Sequence, residues 1–167
     1  MPIVPKDVTH LANITVSSAA ESRPPSNLTD NDLNTFWQSD GVLPHFINIQ
    51  LPRRLCVSII GLYIDPNQDQ SYTPSNVSIR AGEHPSELKQ LLVLEEMESH
   101  PGWVEINLTS EAEQGGIEAS LFQVVIVSNY DNGKNCVIRQ VKLTALLNEQ
   151  VWDFGSNFSQ YRAIRYL

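Results

Sequence analysis

The sequence predicts an all-β domain, a jelly-roll β-sandwich with a short N-terminal helical turn and an extended C-terminal tail. Three observations carry that expectation. Apolar residues recur with a period of two, not 3.6. Turn-forming clusters of Pro, Gly, Asn and Asp cut the chain into about eight or nine short segments, as in sandwiches. The chain has 167 residues, 41% hydrophobic and 18% charged, enough for one self-supporting core.

The segments follow in order. NITVS, from Asn13, reads as a strand. PSNLTDNDLNTFW is the early helical candidate, with Ser26 or Asp30 as N-cap. PHFINIQL sets Ile47, Ile49 and Leu51 on one face against Asn48 and Gln50. A turn is expected at Leu51-Pro52. VSIIGLYI (57–64), LKQLLVL (88–94) and LFQVVIV (121–127) are apolar runs. Length and β-branching favour central strands for the second and third, although LKQLLVLEEME also fits a short helix. NVSIRA alternates Val77, Ile79 and Ala81 against Ser78 and Arg80, and WVEINL alternates Val104, Ile106 and Leu108 against Glu105 and Asn107. CVIRQVKL sets Val137, Val141 and Leu143 against Gln140 and Lys142, with Arg139 breaking the apolar face. Turns are expected at Asp65-Pro66-Asn67, Thr73-Pro74, Ala81-Gly82, Pro101-Gly102, Gly115-Gly116 and Asp131-Asn132-Gly133. Residues 147–160 are polar with scattered aromatics and no period, an extended connector. The chain thus divides into a domain over 1–147 and a connector and tail over 148–167.

Charge and composition exclude several classes. Eleven Lys and Arg against nineteen Asp and Glu give a net charge of −8, a poor match to nucleic acid or an anionic membrane. Residues 81–120 hold nine acids and one base, Lys89, and read as a solvated acidic face; the alternative is a surface that steers a basic ligand. Cys56 and Cys136 sit in apolar runs and read as buried, reduced thiols. No apolar run is long enough to cross a membrane as a helix, and no leader pattern is visible, so the plain expectation is an intracellular protein. Five Asn-x-Ser/Thr sequons, at Asn13, Asn27, Asn76, Asn107 and Asn157, exceed the two or so expected by chance. They read as the composition of an Asn- and Ser-rich β-protein.

No catalytic motif is present: no GxSxG, no GxxxxGK[ST], no HExxH and no GxGxxG. His10, His45, His84 and His100 are not at metal-ligand spacing. The acid pairs Asp30/Asp32 and Glu95/Glu96 carry no mark of a shifted carboxyl. Four segments stand out instead. FWQSDG (36–41) reads as a core-anchoring Trp followed by a tight loop. DQSYTP (69–74) and SNYDNGKN (128–135) are loops rich in small hydrogen-bonding side chains with one Tyr each. That composition suits peptide or sugar recognition, and equally ordinary turn chemistry. YRAIRYL (161–167) joins two Arg to large apolar and aromatic residues, which suits a docked tail or one folded back on its own domain.

These segments, with TFWQSDG, PHFINIQL, SYTPSNVSIRAG, GWVEINLT, NGKNCVIRQVKL and YRAIR in this order, resemble the DOC-domain subunits of the anaphase-promoting complex (cyclosome) over about residues 10–167. The resemblance implies a galactose-binding-domain-like jelly roll. It implies a non-catalytic subunit of a ubiquitin ligase, acting with a WD40 coactivator as co-receptor for the destruction box and promoting processive ubiquitination. Degron contacts carry over to Ser71 and Asn132, with Tyr72, Asn129, Gly133, Lys134 and Asn135 as their neighbours. It further implies TPR, cullin and other scaffold subunits as partners, no cofactor, no metal, no nucleic acid, no membrane, and residence in nucleus and cytoplasm. The family tail ends in Ile-Arg and docks on a TPR subunit, which points to Tyr161, Arg162, Ile164 and Arg165. Tyr166 and Leu167 follow here, a departure that leaves open which pair is the anchor. The rival reading is a carbohydrate-binding sandwich module using an exposed aromatic platform; a hydrolase would lack an evident acid pair or nucleophile.

Overall fold

In the computed structural model, which describes residues 2–97, 100–109 and 115–148, the period-two segments become antiparallel strands. In chain order they are β1 (Ile3–Asp7), β2 (Asn13–Val16), β3 (Trp37–Gln38), β4 (His45–Ile64), a short helix α1 (Pro66–Asp69), β5 (Pro74–Gly82), β6 (Lys89–Leu94), β7 (Gly102–Asn107), β8 (Ile117–Asn129), β9 (Val137–Ile138) and β10 (Gln140–Asn148). Neighbours run β1–β10–β4–β8–β5–β6, with β2 and β7 also on β4 and a separate β3–β9 pair.

β4 replaces two expected strands. The turn signal at Leu51-Pro52 does not turn the chain; the register slips between Gln50 and Leu55 and the strand runs on. Pro52 is exposed at that slip, where no ladder bond needs its missing N–H. Before the slip β4 pairs β2 and β8; after it β8 continues to Val57, and β10 and β7 join. The expected alternation holds in the first half, where Ile47, Ile49 and Leu51 are buried, and in the apolar second half Ile60, Leu62 and Ile64 are buried too. Burial of such side chains is the main stabilising term, about 1.5–3 kcal/mol each. Trp37 is fully buried and donates its indole N–H to the Ser18 carbonyl at 2.9 Å, so FWQSDG anchors the core as read.

Four expectations need correction. LKQLLVL is a strand and not a helix, but β6 lies at the sheet edge: among the described residues only β5 pairs it, and Lys89, Gln90 and Val93 face solvent. The helical candidate stops after a 3-10 turn over Pro25–Thr29, capped by Pro24 and by neither Ser26 nor Asp30. Asp30 and Asp32 bind the loop's own backbone, accepting from the N–H of Asp32 at 3.0 Å and of Asn34 at 2.9 Å, which competes with helix. CVIRQVKL is broken at Arg139 into β9 and β10, and Gln140 is buried, not on a solvent face. Its amide nitrogen donates to the Asn27 carbonyl at 2.9 Å and to Asp30 Oδ1 at 2.6 Å, pinning that loop. Ser78, assigned to the polar face, is buried as well.

Cys136 is buried as expected, whereas Cys56 is only half-buried; both are free thiols. Burial pushes the Cys136 thiol up to about 12 and raises Cys56 too, so neither is a ready nucleophile at neutral pH. Six acids of the 81–120 region, Glu83, Glu87, Glu95, Glu96, Glu105 and Glu118, are exposed. Glu83 also pairs Arg54 at 3.0 Å. Glu98, Glu111 and Glu113 lie outside the described residues.

Candidate functional site

Two loops meet at one end of the sandwich. One joins β4 to β5, the other β8 to β9. They are neighbours because β5 pairs β8, with Pro74 opposite Asn129.

The first loop is built from its ends inward. Asp65 caps α1, accepting from the Gln68 N–H, and Pro66 starts the helix with its fixed φ. Asp69 ends it and is buried against Arg139. The guanidinium donates from Nε to Oδ2 at 3.0 Å and from Nη2 to Oδ1 at 2.7 Å, and from Nη1 to the Leu33 carbonyl at 2.8 Å. Hydrogen bonding to Asp69 holds the Arg139 guanidinium above its ordinary value. Gln70 follows at φ 51, ψ −119, a region that favours glycine. Ser71 is half-buried and Tyr72 exposed.

The second loop is tied to the first by backbone. The Tyr130 N–H donates to the Thr73 carbonyl at 3.0 Å. Asp131 and Asn132 both have positive φ, 53 and 57, and the Gly133 N–H closes the turn on the Tyr130 carbonyl at 3.0 Å. Asn tolerates this conformation through its short polar side chain. A Cβ on Gly133 would stand 1.9 Å from the Ser71 carbonyl oxygen. Only glycine permits that approach.

The structure therefore brings Ser71, Tyr72, Asn132 and Gly133 together, and it divides the predicted set by task. Asn129 is buried and donates to the carbonyls of Gly133 at 3.0 Å and Asn135 at 3.2 Å. Asn135 Oδ1 accepts from Ser39 Oγ at 3.0 Å and the Gly41 N–H at 2.9 Å. His45, buried in β4, holds the Lys134 carbonyl at 2.5 Å. These groups shape the loop. Among the described residues, no hydrogen bond or ion pair engages the side chains of Ser71, Asn132 or Lys134, so they are available to a ligand. Tyr161, Arg162, Ile164 and Arg165 lie outside the described residues.

Sequence reasoning missed the groove between the loops. It measures about 310 Å³ and is lined by Pro66, Gln70, Tyr130 and Asp131. Three of these are immediate neighbours of predicted residues. A turn at Asp131-Asn132-Gly133 was legible; the positive φ of Gln70 was not. A larger cavity of about 450 Å³, lined by Asp7, His10, Asn31, Trp103, Gln140 and Lys142 among others, touches none of the predicted residues. Trp103 there is 43% exposed, edge-on to Tyr63 at 5.4 Å with Lys142 Nζ 5.8 Å from its ring. Among the described residues, no three His, Cys, Asp or Glu converge as a metal site.

A family profile described as "Anaphase-promoting complex, subunit 10" matches residues 3–160. Proteins named anaphase-promoting complex subunit 10 are similar in sequence. The one from Drosophila melanogaster is 37% identical over 145 residues, covering 83% of this chain and 73% of that protein. The one from Homo sapiens is 34% identical over 143 residues, covering 83% of this chain and 76% of that protein. Among solved structures, a family 32 carbohydrate-binding module of C. perfringens NanJ in complex with galactose superposes with a TM-score of 0.70 at 13% identity, covering 84% of this chain and 99% of the module. A fucolectin from Morone saxatilis serum gives 0.66 at 12% identity, covering 85% of this chain and 48% of that one. At such identities the likeness is one of fold, the galactose-binding-like jelly roll.

Proposed function

The chain belongs to the anaphase-promoting complex subunit 10 family, and from that premise we propose that it is a non-catalytic co-receptor for the destruction box, working beside a WD40 coactivator to make ubiquitination processive. That its family is a subunit of the anaphase-promoting complex follows from the relatives. The reading of its task rests chiefly on one observation: two loops tied by the Tyr130–Thr73 backbone bond and close-packed at Gly133 and Ser71, presenting unengaged Ser71 and Asn132 side chains at one end of the sandwich.

The chemistry suits a peptide. A degron backbone offers N–H and C=O groups, and Ser and Asn each donate and accept. One such bond contributes about 0.5–1.5 kcal/mol net, so two hold a peptide weakly alone. A coactivator gripping the same peptide raises its effective concentration, and the weak contact then lengthens residence. Slower release gives more ubiquitin transfers per encounter.

With Ser71→Ala/Asn132→Ala in the reconstituted ligase, chains on a destruction-box substrate are expected to shorten, at unchanged incorporation by co-purification. Two lost bonds correspond to about a five- to 150-fold shorter residence. Full-length chains from an incorporated variant would place the contact elsewhere. The tail carries the second part of the proposal, with Ile164 in an apolar pocket and Arg165 on carboxylates of a TPR subunit, backed by Tyr161 and Arg162. Removal of 161–167 is expected to reduce co-purification with that subunit, and unchanged recovery would remove this role. The carbohydrate reading is not favoured. The sequence relatives are subunits of the anaphase-promoting complex.

A further inference from the structure

The groove between the two loops has strained backbone on both sides. Six non-glycine residues among those described have positive φ: Ser22, Asn31, Gln70, Glu96, Asp131 and Asn132. Two of them, Gln70 and Asp131, line this one groove. Asp131 takes the left-handed region, φ 53 and ψ 32, which Asp tolerates. Gln70, at φ 51 and ψ −119, has no such excuse. Strain of this kind persists where the surroundings enforce it, and it gathers at ligand sites. Here the surroundings are the buried Asp69–Arg139 pair on one side and the Gly133–Ser71 contact on the other.

The lining then specifies a ligand chemistry. Asp131 is exposed, and among the described residues no hydrogen bond or ion pair engages its carboxylate. Tyr130 beside it is fixed, its hydroxyl donating to the Met97 carbonyl. Pro66 adds an apolar wall and Gln70 an amide. An uncommitted carboxylate next to an immobilised aromatic ring and an apolar edge fits a long aliphatic stem that ends in a cation.

We propose that this groove takes a lysine or arginine side chain of the bound peptide, with Asp131 as its counter-ion, so that residue 131 sets a charge preference of the receptor. This rests on the co-receptor reading above. The stem lies along Pro66 and Tyr130, the cation meets the Asp131 carboxylate, and the Gln70 side-chain oxygen accepts a further bond. The net charge of −8 adds long-range attraction for such a group.

The test is a charge swap in the complete ligase. Wild type, Asp131→Asn and Asp131→Lys are compared on destruction-box substrates in which each residue in and beside the box is changed in turn to Lys and to Glu. Asn keeps the left-handed tolerance of Asp, so the neutral variant folds. At one substrate position, wild type is expected to hold the Lys form about two- to fivefold longer than the Glu form, the range of an exposed ion pair. Asp131→Asn erases that preference, Asp131→Lys reverses it, and added salt weakens it. If no position responds to the sign of residue 131 while Ser71→Ala/Asn132→Ala still shortens chains, the groove reads no charge and the proposal falls alone. If the double variant has no effect either, the co-receptor reading falls and this proposal with it.

Discussion

Asp69→Ala is expected to destabilise the domain by about 3–5 kcal/mol, the cost of stranding a buried guanidinium. Arg139 and Asp69 are 4% and 8% exposed, so water cannot replace the lost carboxylate at little cost. The pair is bidentate, at 3.0 and 2.7 Å. The third nitrogen is committed to Leu33, and the Phe36 ring centre lies 5.1 Å from the guanidinium carbon. Asp65 also acts on the guanidinium through its charge, but its carboxylate is committed to Gln68 at 2.7 Å. The double variant Asp69→Leu/Arg139→Met removes both charges and is expected to recover most of the loss, because apolar isosteres of buried pairs are often neutral. It would not recover the site, since nothing then fixes the residue just before Gln70 and Ser71. Urea unfolding followed by tryptophan fluorescence measures the stability. A loss below about 1 kcal/mol for Asp69→Ala would mean that the pair behaves as a surface ion pair.

Gly133→Ala is expected to abolish the contribution of the two loops to processivity while the sandwich stays folded. The reason is purely steric. Gly133 has φ −62 and ψ 142, angles that alanine adopts freely. The added Cβ, however, would stand 1.9 Å from the Ser71 oxygen and 2.9 Å from its carbon. Both are backbone atoms, so no rotamer change relieves the contact, and the loops must part by more than 1 Å. The Tyr130–Thr73 backbone bond would be strained or lost with them. Overpacking of this kind costs about 1–3 kcal/mol, a modest fall in melting temperature. Chain length in the reconstituted ligase should drop at least as far as with Ser71→Ala/Asn132→Ala. Normal chains from a folded, incorporated Gly133→Ala would show that the spacing of the loops is irrelevant to the ligand.

The sandwich was legible because period-two alternation depends only on local residue type, and Ile47, Ile49, Ile79 and Ile106 needed no partner to be placed inside. Pro52 misled for the opposite reason: whether a proline turns a chain or rides a bulge depends on which strands flank it, and those come from elsewhere in the sequence. Arg139 was visible as a break in an apolar face. Its meaning required Asp69, seventy residues away in the chain. The candidate site was half legible. Ser71 and Asn132 were flagged by motif, and Asp131-Asn132-Gly133 announced a tight turn. Asn129 and Asn135 were only neighbours of Ser71 and Asn132; the Asn129 side chain serves the loop's own backbone, and that of Asn135 ties the loop to Ser39 and Gly41. Gln70 gave no signal, since glutamine has no leaning toward positive φ; only the assembled fold imposes it.

The direction of β10 has a mechanical consequence. The strand starts at Gln140, beside the Arg139 that anchors the first loop, and ends at Asn148 opposite Ile3 of β1. Nine residues at the rise of an extended chain place that end roughly 25–30 Å from the loops. Asn148 therefore stands at the pole of the domain opposite the two loops. A body held from that pole carries its loops outward on a strut of fixed length. Tension between the loops and an anchor at that pole runs along the strand axis. It loads the bonds to β1 and β4 in shear, many sharing it at once, where a force across the sheet would break them one by one.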